Sequence, residues 1–151
     1  MKIKILAPDS ASYPNSQPTS TTQASNDRDI VPLIARILLS SIYLVSGVNK
    51  ILNPVGTQEY MAANGMFWTG LFLVAAIAIE LAGGLSLLLG YKTRLGAIAL
   101  VIFLIPATLI FHTNFADPIQ QIMFLKNLGL LGGLLLVMQY GPGRISLDRT
   151  R

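Results

Sequence analysis

The sequence predicts an all-α membrane protein: a four-transmembrane-helix bundle with both termini in the cytoplasm and a disordered N-terminal tail. Of its 151 residues, 52% are hydrophobic and only 12% are charged, and that charged fraction is about half the value usual for a soluble domain. The apolar residues gather in four segments, each near the ~20 residues that cross a bilayer. The charges lie mostly at the ends of those segments, as is typical of membrane proteins.

The first part of the chain differs in composition from the rest. Residues 8–29 are rich in Ser, Thr, Gln, Asn and Pro and contain almost no large apolar side chain. Such a segment cannot bury enough apolar surface to offset the entropy lost on folding. We therefore predict a disordered polar tail over residues 1–29 and a single membrane domain over residues 30–151.

The four transmembrane helices are predicted at about residues 30–49, 68–89, 95–111 and 119–140. Pro32 stands at a tolerated helix start, whereas Pro106 should kink the third helix. The connection over residues 50–67 is long and contains turn sequences. The connection over residues 90–94 is so short that the second and third helices should form an antiparallel hairpin.

The distribution of Lys and Arg predicts the orientation. An N-terminus in the cytoplasm places nine of these residues on the cytoplasmic side and two on the outer side, which is the bias of inner-membrane proteins. We therefore expect a multi-pass protein of the cytoplasmic (inner) membrane with both termini inside. The nine are Lys2, Lys4, Arg28, Arg36, Lys92, Arg94, Arg144, Arg149 and Arg151, and the two are Lys50 and Lys126.

The composition also limits the chemistry available to the chain. It has no cysteine and one histidine, His112, so thiol chemistry, cysteine-ligated metal and bis-histidine haem ligation within the chain are excluded. No nucleophile–base pair or phosphate-binding loop stands out. We predict no metal site, no intrinsic cofactor, no nucleic-acid partner and no catalytic residue.

Glu80 is the most informative residue, because it lies in the middle of the second apolar segment. A carboxylate at that depth costs several kcal/mol unless it is paired, protonated or hydrated. Arg36 is the favoured partner because its guanidinium can bind a carboxylate with two hydrogen bonds, and Lys126 is the second choice. Such a pair can fix helix register or serve a function, and the sequence leaves both open.

Helical spacing indicates which faces point into the bundle. The first helix carries a stripe spaced by four, three, four and three residues, and small residues on the other helices permit close packing. His112 either caps the third helix or contributes to a functional site. Lys126 either extends its ammonium group to the membrane surface or contributes to a functional site. The stripe is Arg36, Ser40, Tyr43, Gly47 and Lys50, and the predicted packing glycines are Gly47, Gly83, Gly84, Gly129 and Gly133.

Five local patterns follow one another along residues 31–148. They are Ala35-Arg36-Ile-Leu-Leu, Ser46-Gly47-Val-Asn-Lys50-Ile-Leu-Asn-Pro54, Glu80-Leu-Ala-Gly83-Gly84 with Leu89-Gly90-Tyr-Lys-Thr-Arg94, Lys126-Asn127-Leu, and Gly141-Pro-Gly143-Arg-Ile-Ser146-Leu-Asp148. In order and spacing they resemble the DoxX family of small four-helix membrane proteins. The resemblance adds Asn127 to the candidate functional or buried-charge network, which is then Arg36, Glu80, His112, Lys126 and Asn127.

The resemblance implies an association with quinone-linked membrane redox complexes. The first functional hypothesis is therefore a non-catalytic subunit or accessory factor of such an assembly, with quinone as the candidate cofactor. At most the chain would be one subunit of an oxidoreductase complex. The alternatives are a small proton-coupled transporter or lipid- or metabolite-binding bundle, and a purely structural assembly factor. The expected partners are the lipid bilayer, proteins of a redox complex and, as a candidate, a second copy of the chain.

Overall fold

The protein is all-helical over the residues described by the computed structural model, which are residues 21–148, with the backbone alone for residues 21–29. No strand occurs in that part of the chain, which confirms the predicted fold class. The helices are α1 (Thr21–Leu52), α2 (Pro54–Ala63), α3 (Thr69–Leu89), α4 (Thr93–Phe111) and α5 (Pro118–Tyr140).

Four of these helices are long and apolar enough to cross a membrane, which confirms the predicted four-span bundle. The corresponding spans agree with the predicted helices to within a few residues. Because consecutive spans alternate in direction, the start of the first span, the α3–α4 turn and the segment after α5 share one end of the bundle, here called the terminal face. The other end is called the opposite face. The spans are Ile30–Leu52, Thr69–Leu89, Thr93–Phe111 and Pro118–Tyr140.

The first helix begins earlier than the sequence predicts. α1 starts at Thr21, so the backbone of residues 21–29 is helical where a disordered tail was predicted. The reason is that adding a residue to an existing helix fixes few dihedral angles for each new hydrogen bond, and residues 21–29 contain no Pro or Gly. The rest of the predicted tail, residues 1–20, lies outside the described residues.

A short helix, α2, occupies much of the predicted long connection. The Asn53 side chain caps it by accepting a hydrogen bond of 3.2 Å from the backbone N–H of Gly56, and Pro54 occupies its first turn. Both residue types favour a helix start. The Asn53-Pro54 pair, interpreted from sequence as a turn, therefore begins a helix that covers the opposite face.

α3 is the central helix of the bundle, since it packs against α1, α2 and α4, while α5 packs mainly against α4. Close approach is possible because glycines stand where a methyl group would not fit. An added Cβ would lie 2.6 Å from a Leu100 side-chain atom at Gly83, and 2.9 Å from Leu44 at Gly84. The packing role predicted for these glycines follows directly from these distances.

The distances from an added Cβ also distinguish the other predicted packing glycines from one another. A Cβ at Gly47 would meet Leu81 at 2.8 Å, and one at Gly133 would meet Leu39 at 3.0 Å. At Gly129 no described atom lies within 4 Å of the added Cβ. The prediction for Gly129 is therefore wrong, because no other helix of the described residues approaches α5 at that level, although Leu39 does so one turn further on, at Gly133.

We predict that Gly83→Ala destabilises the bundle by about 1–3 kcal/mol, because the new methyl group would overlap Leu100, which is fully buried. Gly129→Ala is the matched control, and it should be neutral or stabilise by up to ~1 kcal/mol through helix propensity. Thermal unfolding in detergent measures both. Equal midpoints for the two variants would contradict the packing described here.

Candidate functional site

A buried ion pair joins α1 to α3. Glu80 is 3% exposed, and its Oε2 and Oε1 atoms lie 2.9 Å and 3.0 Å from Nζ of Lys50. Ser46 completes the group: its hydroxyl accepts a 2.7 Å hydrogen bond from Lys50 and donates one of 3.1 Å to Glu80 Oε1. The buried carboxylate is thus compensated by a cation and a hydroxyl from one face of α1.

The partner of Glu80 is Lys50, so the prediction that favoured Arg36 is wrong. The reason is the register of the two helices. A Cβ built at Gly47 would lie 3.5 Å from Glu80 Cβ, which puts Lys50 one turn from the carboxylate. Arg36 is eleven residues before Gly47, or about 16 Å along the axis. Lys126, the second choice, contacts Met123 Sδ at 3.3 Å instead.

A cavity of about 780 Å³ opens beside the ion pair. Residues of all five helices line it, and α2 contributes to its wall on the opposite face. Of the five candidate network residues, it brings together Glu80, His112, Lys126 and Asn127 but not Arg36. The cavity therefore accounts for most of the polar residues that the sequence singles out.

Two further polar contacts lie along the cavity. Asn127, which is buried, donates a 3.0 Å hydrogen bond to the Thr108 hydroxyl and so links α5 to α4. Nδ1 of His112 lies 2.7 Å from Oε1 of Gln120, and His112 is the residue that ends α4. Both contacts tie α4 to α5, which fixes one wall of the cavity.

Like Lys50 and Ser46, Tyr43 is a residue of the site that sequence reasoning did not select as a candidate. Its side chain is 3% exposed and lines the cavity, and its hydroxyl has no hydrogen-bond partner among the residues that the structure describes. The only signal in the sequence was its position on the interior stripe of the first helix. That position predicts burial but not an unpaired hydroxyl.

Arg36 belongs to a different site, at the terminal face. It is 1% exposed and donates to two backbone carbonyl groups, at 3.3 Å to Leu87 and by a short bond to Ile145. One guanidinium thus joins α1, the end of α3 and the segment after α5. Its role is to hold these three elements together.

Asp148 completes this terminal site by capping α4. Its carboxylate accepts hydrogen bonds of 2.8 Å from the backbone N–H groups of Lys92 and Thr93, and one of 3.0 Å from the Thr93 hydroxyl. Lys92, the residue that precedes α4, provides no side-chain cap of its own. The hydrogen bonds from Thr93 and Lys92, together with the charge of Arg36, lower the pKa of the Asp148 carboxyl.

The described residues contain no cluster of three or more His, Asp or Glu side chains that could hold a metal ion. The polar groups around the cavity are instead hydroxyl, amide, imidazole, ammonium and carboxylate groups set in an apolar wall. Such a wall can bind an amphipathic organic molecule.

The fold and the cavity together define a small multi-pass helical membrane protein with an internal ligand-sized cavity. The chain belongs to the DoxX family, whose model matches residues 31–113, and the resemblance found in the sequence is thereby confirmed.

Two relatives have names that describe their location. Inner membrane protein YqjF of Escherichia coli K12 is 40% identical over 121 residues, which are 80% of this chain and 92% of that protein. Inner membrane protein YphA of the same organism is 33% identical over 127 residues, 81% of this chain and 91% of that protein. No solved structure matches.

We predict that Lys50→Met destabilises the protein by about 3 kcal/mol, because it leaves the Glu80 carboxylate buried without its cation. Glu80→Gln in the same background should recover part of that loss, which gives a coupling energy of about 1–3 kcal/mol in a double-mutant cycle. The matched cycle of Arg36→Gln with Glu80→Gln should be additive. Unfolding in detergent measures both cycles, and strong coupling in the Arg36 cycle would contradict the pairing.

We predict that Asp148→Asn destabilises the protein by about 1 kcal/mol at neutral pH, because an amide nitrogen cannot accept a hydrogen bond from Thr93. Since the folded-state pKa of Asp148 lies below its ordinary value of 3.8, its stabilisation is complete above that value. It is lost as the pH falls through the lowered pKa.

Thermal unfolding of the two proteins between neutral and acidic pH provides the measurement. The midpoint of Asp148→Asn should fall less steeply with acid than that of the wild type. Identical slopes and identical neutral midpoints would show that Asp148 does not cap α4.

Proposed function

We propose that this protein is a membrane-embedded accessory factor of a quinone-linked redox assembly, and that it binds a quinone-class molecule in the cavity next to the Lys50–Glu80 pair. One observation carries the proposal: a cavity of about 780 Å³ inside a membrane bundle, with a buried ion pair on its wall. A buried ion pair costs desolvation free energy, and its position on the wall of an open volume favours a role in binding over one in packing alone.

The size and wall of the cavity suit such a molecule. Cavities that hold small organic ligands usually measure about 300–1,000 Å³ and combine apolar walls with a few polar groups. Aromatic and aliphatic side chains form most of the wall here, among them Met61, Phe72, Phe103 and Leu130. These surfaces would cover a ring and the beginning of an isoprenoid tail.

The polar groups suit the head of a quinone. A quinone carries carbonyl oxygens, which accept hydrogen bonds, and the residues that line the cavity include Tyr43, Ser46 and Lys50, which carry hydroxyl and ammonium donors. When bound, a quinone would supply two-electron redox chemistry. The protein's own residues would contribute binding and orientation, because Glu80 and Ser46 hold the Lys50 ammonium in place.

The names of the two relatives and the distribution of Lys and Arg support a location in the inner membrane. Both relatives are named as inner membrane proteins, and we propose the same membrane for this chain. Together with the excess of Lys and Arg at the terminal face, this favours an orientation with both termini in the cytoplasm. The cavity would then open in the outer half of the bilayer.

We predict that the wild-type protein, purified in mild detergent, carries a quinone that mass spectrometry detects in an organic extract. Ala107→Phe should abolish the bound quinone, because Ala107 lines the cavity and a phenyl ring would fill it. Ala99→Phe is the matched control, since Ala99 lies on the same helix outside this cavity, and it should retain the quinone.

The same preparations identify the assembly, since co-purifying redox proteins appear in the protein mass spectrum. Equal quinone content in the two variants would contradict binding in the cavity. A wild-type protein that carries neither a quinone nor a redox partner would overturn the proposal.

A further inference from the structure

Two buried polar atoms of residues that line the cavity have no hydrogen-bond partner among the described residues, the hydroxyl of Tyr43 and Oε2 of Glu80. Lys50 Nζ donates hydrogen bonds to Ser46 Oγ and to Oε1 of Glu80, and it lies 2.9 Å from Oε2 as the cation of an ion pair. The Ser46 hydroxyl donates to Glu80 as well as accepting from Lys50. Oε2 of Glu80 is therefore an acceptor without a hydrogen bond, but its charge is compensated by the Lys50 ammonium.

The hydroxyl of Tyr43 is the donor of these two unpaired atoms. It lies on the same helix face, one turn before Gly47 and Ser46, with its side chain 3% exposed. No described residue accepts its hydrogen bond, and Tyr43 is one of the residues that line the cavity. A buried hydroxyl without a partner costs free energy, so groups of this kind are rarely retained in a folded protein without a purpose.

The electrostatics of the cavity restrict what can accept this hydrogen bond. Lys50, the cation on the helix face that carries Tyr43, is already paired with Glu80, so an anionic ligand group beside Tyr43 would find no free cation on that face. A neutral carbonyl oxygen accepts a hydrogen bond and adds no charge. Carboxylate and phosphate head groups are therefore disfavoured at this position.

From these contacts we infer that the Tyr43 hydroxyl is the specificity-determining donor of the cavity and that it hydrogen-bonds a neutral carbonyl oxygen of the bound molecule. This inference rests on the proposed function and deepens it, because it names the group of the ligand that is recognised and the residue that recognises it. Tyr43 acts here as a binding residue, and the Lys50–Glu80 pair positions the helix face that carries it.

The test compares two probes and two variants of the full-length protein in detergent. The probes are a short-chain alkyl benzoquinone and an alkylbenzene of the same chain length, which lacks the carbonyl oxygens. The variants are Tyr43→Phe and Tyr140→Phe. Tyr140 is the last residue of α5, is 76% exposed and is not among the residues that line the cavity, so it controls for the loss of a tyrosine hydroxyl.

Tyr43→Phe should weaken binding of the benzoquinone by about 5- to 10-fold, as expected for the loss of one hydrogen bond, and should leave binding of the alkylbenzene unchanged. Tyr140→Phe should bind both probes as the wild type does. The infrared carbonyl stretch of the bound benzoquinone should shift to lower frequency in the wild type and return towards its free value in Tyr43→Phe. Without ligand, Tyr43→Phe should unfold at the wild-type midpoint or above it.

Failure of this inference can be told apart from failure of the proposed function. If the benzoquinone binds the wild type and Tyr43→Phe equally well, with the same carbonyl frequency, Tyr43 is not the hydrogen-bond donor. That result would leave the proposed binding of a quinone in the cavity uncontradicted. An equal loss of both probes in Tyr43→Phe also overturns the inference, since the effect is then one of shape. If the wild type binds neither probe, both the proposed function and the inference are contradicted.

Discussion

The axial register between α1 and α3 is the constraint on which the rest of the structure depends. Gly47 and Gly84 allow the two helices to approach closely, and each can do so only opposite a particular side chain of the other helix. That register places Lys50 beside Glu80 at one level and Arg36 beside the end of α3 at another. A single packing arrangement thus positions both the ion pair next to the cavity and the cation that organises the terminal face.

Sequence reasoning predicted the parts of the fold that depend on periodicity and composition. The four spans and the interior stripe on the first helix follow from runs of apolar residues and from spacings of three and four. The partner of Glu80 did not follow, because spacing reveals the face of a helix on which a residue lies but not its level against a neighbouring helix. Lys50 was therefore placed on the interior stripe and counted among the charges of the outer side, but the role of partner to Glu80 was assigned to Arg36.

Other differences arise from information that is not local. Asn53-Pro54 can begin a turn or a helix, and the same residues serve either. The close fit at Gly83 and the open side at Gly129 depend on which neighbour each glycine faces, which a spacing of small residues does not encode. An unpaired hydroxyl such as that of Tyr43 is a property of the folded environment, so it becomes visible only when the surrounding helices are in place.

The terminal site has a consequence for the order in which the molecule assembles. Arg36 is synthesised early, in the first span, but the carbonyl group of Ile145 that it binds and the carboxylate of Asp148 that caps α4 come after the fourth span. During insertion into the membrane, the Arg36 guanidinium therefore lacks its Ile145 acceptor until all four spans have been made. Closure of the terminal face is consequently a late event in biogenesis, and it joins the two ends of the membrane domain.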